Sequence, residues 1–283
     1  MNNKTWYRFI AFPSLVWFFT FLLIPIAMVI VVSFLTRGTY GSLEWIFQTG
    51  NYFNAFQDAY LGILLKSLMM ALGTALFCTT VGFFMAWSIS TSPKATRNLW
   101  LFALMLPFLT NLVIRVYAIK FVRNGMDGPL QTLLRLLGLP FNPYAFTANP
   151  YLVMYGLITS YLPFAVFPMY AAFEKFDFDL VEAAQDLGAT TRKVITGILV
   201  PNLKPAIFSS FSLVFVPCLG EYIIPDLLGG AKQMLLGNLI VELFLKSRNW
   251  PLGASVSVVV FVILVLFFIL IHTMKGLRYA RSK

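Results

Sequence analysis

Six stretches of mostly apolar sequence constrain this chain to a membrane-embedded helical fold. A transmembrane helix needs about 20 predominantly apolar residues. The stretches cover residues 10–35, 61–90, 99–122, 151–173, 206–227 and 252–274. Only 11% of the 283 residues are charged, whereas a soluble domain carries about 25%. We therefore expect an all-α polytopic membrane protein whose six spans form a single domain, residues 1–283.

The net charge of +10 and the cysteine and histidine content limit the classes of function. A basic chain can bind nucleic acid, but here the basic residues flank apolar spans, so we expect a lipid environment and no nucleic acid. Cys78 and Cys218 lie inside apolar stretches, where small buried thiols are more common than disulfides or metal ligands. His272 is the single histidine. No metal site and no catalytic constellation are predicted.

The distribution of lysine and arginine predicts the orientation of the spans, because cytoplasmic segments carry the excess. Twelve bases fall in one alternating set of segments and six in the other. Lys4 and Arg8 precede the first span, which is too long for the apolar region of a cleaved signal peptide. Both termini and the segment 174–205, here called the signature loop, are therefore predicted to be cytoplasmic.

A polar island interrupts the apolar chain inside the signature loop. Apolar residues recur every three or four positions through Leu180, Ala183, Ala184 and Leu187, which predicts one face of a short helix. Asp179 is predicted to cap this helix at its start, and Gly188 to end it in a left-handed conformation. Thr190 or Thr191 is predicted to cap the helix that follows. Such a helix–glycine–helix segment is able to enter a groove on a soluble partner.

The same residues resemble the EAA signature of ABC-importer permeases. The matching positions are Glu182, Ala183, Ala184, Gly188, Ile198 and Pro201, and only Val200 departs, where the signature has leucine. Further segments resemble the spermidine–putrescine branch of these permeases over essentially the whole chain. They are Asn51-Tyr52, residues 107–117, residues 220–230 and residues 249–254.

This resemblance implies a type I importer permease with a MetI-like core. It implies a second permease subunit of different sequence, a dimeric cytoplasmic ABC ATPase and a periplasmic binding protein. The chain has no Gly-x-x-x-x-Gly-Lys-Ser/Thr motif, so we expect ATP and Mg to be used by the ATPase and no cofactor to be bound here. The residues expected to couple to the ATPase are Glu182, Ala183, Ala184, Asp186, Gly188, Ile198 and Pro201.

Charged residues inside spans are costly and usually face a cavity or a partner. Arg115 and Glu221 lie 18 and 17 residues after Arg97 and Lys204, the last bases before them, which predicts similar depths nearer the external face. Proline and glycine residues on both sides of Glu221 predict a bent or broken helix there. Three interpretations are open: the two residues form an ion pair, Arg115 extends outwards to the membrane surface, or Glu221 offers a cation a temporary partner. The candidate path residues are Glu221, Asp226, Tyr222, Asn111, Arg115, Tyr117 and Tyr161.

The sequence leaves the identity of the transported solute open. The predicted outer loops hold more bases than acids, which does not suit a funnel for cations and favours selection by the binding protein. A permease for another small solute, such as ferric ion or an aminophosphonate, fits the same signature. A secondary transporter is the remaining alternative, although its usual internal repeat is not evident.

Overall fold

The computed structural model describes residues 12–123, 129, 132, 136–138, 149–230 and 233–280, and they are mostly helical. Lys4 and Arg8 lie outside these residues. The chain divides into two compact units. The first contains Met1–Gly62 and Leu239–Lys283, and the second contains Ile63–Asn238. The expected all-α fold is confirmed.

The helices alternate between long apolar rods and short connecting segments. In chain order they are α1 (Phe12–Ser33), α2 (Gly50–Ala55), α3 (Asp58–Thr91), α4 (Lys94–Leu109), α5 (Leu112–Arg123), α6 (Pro150–Phe173), α7 (Asp179–Asp186), α8 (Thr191–Asn202), α9 (Lys204–Gly220), α10 (Leu236–Val241) and α11 (Trp250–Ala280). Two-residue strands, β1 (Thr36–Arg37) and β2 (Leu43–Glu44), pair antiparallel between α1 and α2.

Among the described residues, four helices are long and apolar enough to cross a membrane unbroken. They are α1, α3, α6 and the segment Trp250–Leu270 of α11. Two helix pairs pass the same test only together: α4 with α5, bent by 90°, and α8 with α9, bent by 75°. The described chain therefore supplies four spans, and up to six if each bent pair crosses once.

The bend between α4 and α5 divides the expected third span. Thr110 is extended, with φ −96° and ψ 137°, and Asn111 begins a new helix by accepting a hydrogen bond from the Val113 amide at 2.8 Å. Pro107 lies one turn before the break and has no amide to continue the helical ladder. Depths counted along a straight helix therefore do not apply to Arg115.

Helix α6 carries much of the core of the second unit. Small residues allow close approach: a Cβ on Gly82 of α3 would lie 3.1 Å from the Ala165 Cβ. On α9, the Ser210 hydroxyl donates to the Ala165 carbonyl oxygen at 2.9 Å. The Ser210 hydroxyl is thus satisfied by a neighbouring helix, as a membrane interior requires.

In the first unit, Asn51 ties the end of α1 to its surroundings. Its Nδ2 donates to the carbonyl oxygens of Ser33 at 3.1 Å and Leu35 at 2.8 Å. Ser255 of α11 donates its hydroxyl to the Asn51 carbonyl oxygen at 3.4 Å, and Arg37 donates to the Ser247 carbonyl oxygen at 2.7 Å. These bonds fix the short β1–β2 hairpin against α2 and the start of α11.

Candidate functional site

The first turn of α7 differs from the expected cap. Asp179 is already inside the helix, and the carboxylate of Asp177 accepts the hydrogen bond from the Asp179 amide at 3.1 Å. Phe178 occupies the N-cap position. Its ring stacks on Phe173, with the centroids 6.4 Å apart, and meets Phe176 edge-to-face at 5.4 Å. This aromatic packing fixes the backbone so that Asp177, two residues before Asp179, supplies the hydrogen-bond acceptor. The prediction that Asp179 caps the helix is wrong.

The end of α7 agrees with the sequence. Gly188 has φ +80°, and its amide donates to the Gln185 carbonyl oxygen at 2.8 Å. The Ala189 amide donates to the Ala184 carbonyl oxygen at 2.9 Å. This pair of bonds is the Schellman arrangement, which uses the left-handed residue to satisfy the last carbonyl groups of a helix. The predicted left-handed Gly188 is confirmed.

The next helix begins at Thr191, with Thr190 in the N-cap position. The Thr190 carbonyl oxygen accepts from the Val194 amide at 3.0 Å, but its hydroxyl makes no capping bond. The expected order of helix, glycine and helix is therefore present, without the expected side-chain cap.

The apolar residues of α7 divide between two faces. Val181 is buried and Ala184 is half-buried against the core, whereas Leu180, Ala183 and Leu187 are exposed, Leu187 by 89%. The predicted single face is thus wrong for Ala184. Glu182 and Asp186 are also exposed. The outer surface of α7 presents apolar side chains and two carboxylates to solvent in this chain.

The inner face of the signature loop belongs to a buried cluster that includes the long helices. Val181 of α7 and Val194 and Leu199 of α8 share this cluster with Ile89 of α3 and Phe173 of α6. Dense apolar packing transmits displacement because it has low compressibility. A push on α7 therefore reaches α3 and α6 directly.

The predicted signature residues Ile198 and Pro201 lie at the turn from α8 into α9. Ile198 is half-buried, and its carbonyl oxygen accepts from the Asn202 side chain at 2.8 Å. Pro201 is exposed and precedes the 75° bend. The two residues thus shape the exit of the loop towards α9.

A second group of polar residues surrounds Arg115 on α5. Its Nη1 donates to the Pro107 carbonyl oxygen of α4 at 3.0 Å, and its Nη2 donates to the Ser160 hydroxyl of α6 at 3.1 Å. The side chain thereby spans the bend between α4 and α5. It also lines two cavities, of about 570 Å³ and about 280 Å³.

Glu221 lies in the gap where α9 ends. The residue is extended, with φ −67° and ψ 130°, as expected from the glycine and proline residues around it. Its Oε2 accepts from the Tyr161 hydroxyl at 2.7 Å and its Oε1 from the Ile223 amide at 2.9 Å. A Cβ on Gly237 would lie 2.6 Å from the Glu221 carbonyl oxygen, so α10 packs directly against this gap.

The alternative of an ion pair between Arg115 and Glu221 is wrong for this structure. Among the described residues, neither side chain has an opposite charge within 4.0 Å. Each is held instead by neutral groups, and two consecutive residues of α6, Ser160 and Tyr161, supply one partner to each. Tyr161 was predicted as a path residue. Ser160 was not, because a serine inside an apolar span has no distinguishing sequence signal.

The remaining predicted path residues do not join this group. Tyr117 is exposed, with the Lys120 amine 5.8 Å from its ring centre. Tyr222 is exposed, and its carbonyl oxygen accepts from Asn238 at 3.0 Å. Asn111 and Asp226 are also exposed. Asn111 positions the start of α5 rather than contacting Glu221.

Neither cysteine takes part in a disulfide bond. Cys78 and Cys218 are buried free thiols, as expected. Within the described part of the chain, no three His, Cys, Asp or Glu side chains converge as metal ligands would.

The fold and the signature loop define a polytopic helical membrane protein whose loop is packed onto its own long helices. The family model for binding-protein-dependent transport system inner membrane components matches residues 79–277, and the chain belongs to that family. Members are the membrane-embedded permease subunits of ABC importers. They are not enzymes, because ATP hydrolysis resides in a separate subunit. The expected permease class and inner-membrane location are confirmed.

The chain is 36% identical to the spermidine/putrescine transport system permease protein PotB of Salmonella typhimurium over 271 residues, which is 95% of this chain and 94% of that protein. It is 39% identical to PotB of Haemophilus influenzae over 242 residues, or 86% and 84% of the two chains. A bacterial alginate ABC transporter, solved in complex with a periplasmic protein carrying an alginate pentasaccharide, superimposes with a TM-score of 0.73. That match covers 94% of this chain and 93% of the other at 19% identity, so it concerns the fold alone.

Proposed function

We propose that this protein is the permease subunit of a polyamine importer and passes spermidine or putrescine across the inner membrane. The observation that carries the proposal is identity of 36–39% with PotB proteins over most of the chain. The similarity extends over both compact units rather than over the signature loop alone.

The proposed machine contains three further kinds of subunit. A second, different permease completes the path, a dimeric ABC ATPase binds on the cytoplasmic side, and a periplasmic binding protein delivers the cargo. The alginate transporter, whose fold this chain shares, was solved with a periplasmic protein, which supports the periplasmic partner of this arrangement. ATP and Mg act in the ATPase. The excess of bases supports an orientation with both termini and the signature loop in the cytoplasm.

The signature loop is the proposed ATPase contact. Its exposed surface combines Leu180, Ala183 and Leu187 with the carboxylates of Glu182 and Asp186. An exposed apolar stripe on a short helix is suited to a groove. Its buried face adjoins α3 and α6, so closure of the ATPase would move the spans that line the path.

Glu221 is the proposed transient partner of a cargo ammonium group. Both carboxylate oxygens accept hydrogen bonds from neutral donors, which fix the group without neutralising it. An ammonium ion therefore meets a preoriented negative charge. Tyr161 adds an aromatic ring next to the carboxylate, and cation–π contact favours ammonium groups.

Reconstitution tests the cargo. The complete complex and its binding protein are placed in proteoliposomes with ATP, and uptake of labelled spermidine and putrescine is measured. Saturable, ATP-dependent uptake of either supports the proposal. The same complex transporting ferric ion or an aminophosphonate, with neither polyamine accumulating, would refute it.

The role of Glu221 is tested separately with Glu221→Gln, which keeps the size and the acceptor oxygen but removes the charge. We expect polyamine uptake to fall about tenfold, as for loss of one charge-assisted contact. Asp226→Asn is the matched control, because Asp226 is exposed and lies outside the Tyr161 contact. Normal uptake by Glu221→Gln in a complex that retains its ATPase would remove Glu221 from the path.

A further inference from the structure

Arg115 and Glu221 of the second unit do not pair with each other, although both side chains reach the same turn of α6. Arg115 reaches Ser160, and Glu221 reaches Tyr161, the next residue. Unlike charges attract strongly where water is scarce, and an isolated charge in a membrane is costly. The groups that hold each side chain therefore decide whether the two charges pair.

The restraint on Arg115 consists of hydrogen bonds. Nη1 is held by the Pro107 carbonyl oxygen at 3.0 Å and Nη2 by the Ser160 hydroxyl at 3.1 Å. Ser160 is 8% exposed, so water does not compete readily for its hydroxyl. The Arg115 Nε is buried, and the described residues offer it no acceptor. The guanidinium is thus held from one edge only.

Open space adjoins the Arg115 side chain. Arg115, Ser160 and Tyr161 all line the same cavity of about 280 Å³. A side chain beside a cavity has fewer packed neighbours to displace when it changes rotamer. The Ser160 hydroxyl is the group on α6 that binds the guanidinium, and it does so one residue before the tyrosine that binds Glu221.

We infer that Ser160 is a positioning residue that holds Arg115 away from Glu221, so that the Glu221 carboxylate stays available to an ammonium group of the cargo. This role rests on the proposed function of Glu221. An ion pair with Arg115 would occupy the carboxylate with a permanent cation, and the cargo would then have to displace it. Conduction requires sites that bind weakly enough to exchange.

Removing the hydroxyl with Ser160→Ala frees Nη2 and lets Arg115 turn towards Glu221. We expect polyamine uptake to fall about tenfold, the ratio that corresponds to a modest new ion pair. Ser160→Thr keeps a hydroxyl and should retain uptake. All variants are compared in complexes that recover the ATPase in normal amount, which excludes misfolded protein.

The deciding variant is the double substitution Ser160→Ala with Arg115→Gln. It also removes the competing cation, so uptake should return to within about twofold of the unmodified complex. A serine needed only for packing would give no such recovery. Near-normal uptake by Ser160→Ala, or a double variant no better than Ser160→Ala, would overturn the inference.

Glu221→Gln separates this inference from the proposal beneath it. Impaired uptake by Glu221→Gln together with normal uptake by Ser160→Ala would remove the positioning role and leave Glu221 in the path. Normal uptake by Glu221→Gln would remove both roles. The polyamine cargo itself is judged by the reconstitution assay, which uses neither substitution.

Discussion

Replacing Gly188 isolates the contribution of one backbone conformation to the signature loop. The residue has φ +80°, and a Cβ built on it meets nothing within 4 Å. Any penalty is therefore conformational in this chain rather than steric. The left-handed region costs an ordinary L-residue about 1–2 kcal/mol. Asparagine tolerates it better, and a β-branched residue tolerates it least.

This conformational penalty is large for a helix as short as α7. Helix α7 has eight residues, and isolated helices of that length are not stable in water. The ordered state of α7 depends on the buried Val181 and on the two hydrogen bonds that the amides of Gly188 and Ala189 donate. A loss of about 1–2 kcal/mol lowers the ratio of ordered to disordered loop about 5- to 30-fold.

We therefore expect ATPase recovery and polyamine uptake to fall in the order Gly188→Asn, Gly188→Ala and Gly188→Val. Recovery is measured by purification of this permease with its bound ATPase, and uptake in proteoliposomes. Gly197→Ala is the matched control. Gly197 lies in the same loop with open space around it, and its φ is not left-handed, so alanine should be neutral or slightly stabilising.

Two results would refute the reasoning. Equal behaviour of Gly188→Val and the unmodified protein would show that the left-handed turn is dispensable. Equal loss in all three variants would show that any side chain at this position collides with a partner, so that space rather than backbone conformation is limiting.

Two more substitutions test the gap at Glu221 and the end of α1. Gly237→Ala places a Cβ 2.6 Å from two carbonyl oxygens of the α9 end. This overpacking should cost about 1–3 kcal/mol and lower uptake, while the signature loop still recovers the ATPase. Asn51→Asp removes the two amide donors to the end of α1 and should cost about 2 kcal/mol, measured as a lower melting temperature in detergent. Asn54→Asp on the exposed side of α2 should melt normally, and equal melting of the two variants would contradict the assigned role of Asn51.

Local features of the signature loop could be predicted because local physics controls them. Gly188 follows an apolar repeat, and glycine is the residue best suited to a left-handed helix end. The face that packs inward could not be predicted. Leu180, Ala183 and Leu187 form one apolar stripe, and Val181 with Ala184 forms another beside it. The choice of the second stripe depends on packing against Phe173 of α6 and against Ile89 of α3, which is distant in sequence.

The polar residues near Glu221 show the same contrast between features that the sequence predicts and features that depend on tertiary contacts. The cost of placing a charge inside a span marked Arg115 and Glu221 as candidate functional residues. The glycine and proline residues around Glu221 indicated a broken helix. That the two charges do not pair with each other could not be predicted from counted depth, because α4 and α5 meet at 90°. The neutral partners, Ser160 and Tyr161, are more than thirty positions from either charge in the sequence.

Composition and short-range pattern were enough for the membrane-embedded helical class, the permease signature and the left-handed Gly188. These properties follow from the cost of exposing backbone groups to lipid and from the conformational freedom of single residues. The inward face of α7, the bend before Arg115 and the separation of Arg115 from Glu221 depended on contacts between distant helices. Such contacts reflect the packing of complementary surfaces, and a linear pattern does not contain that information.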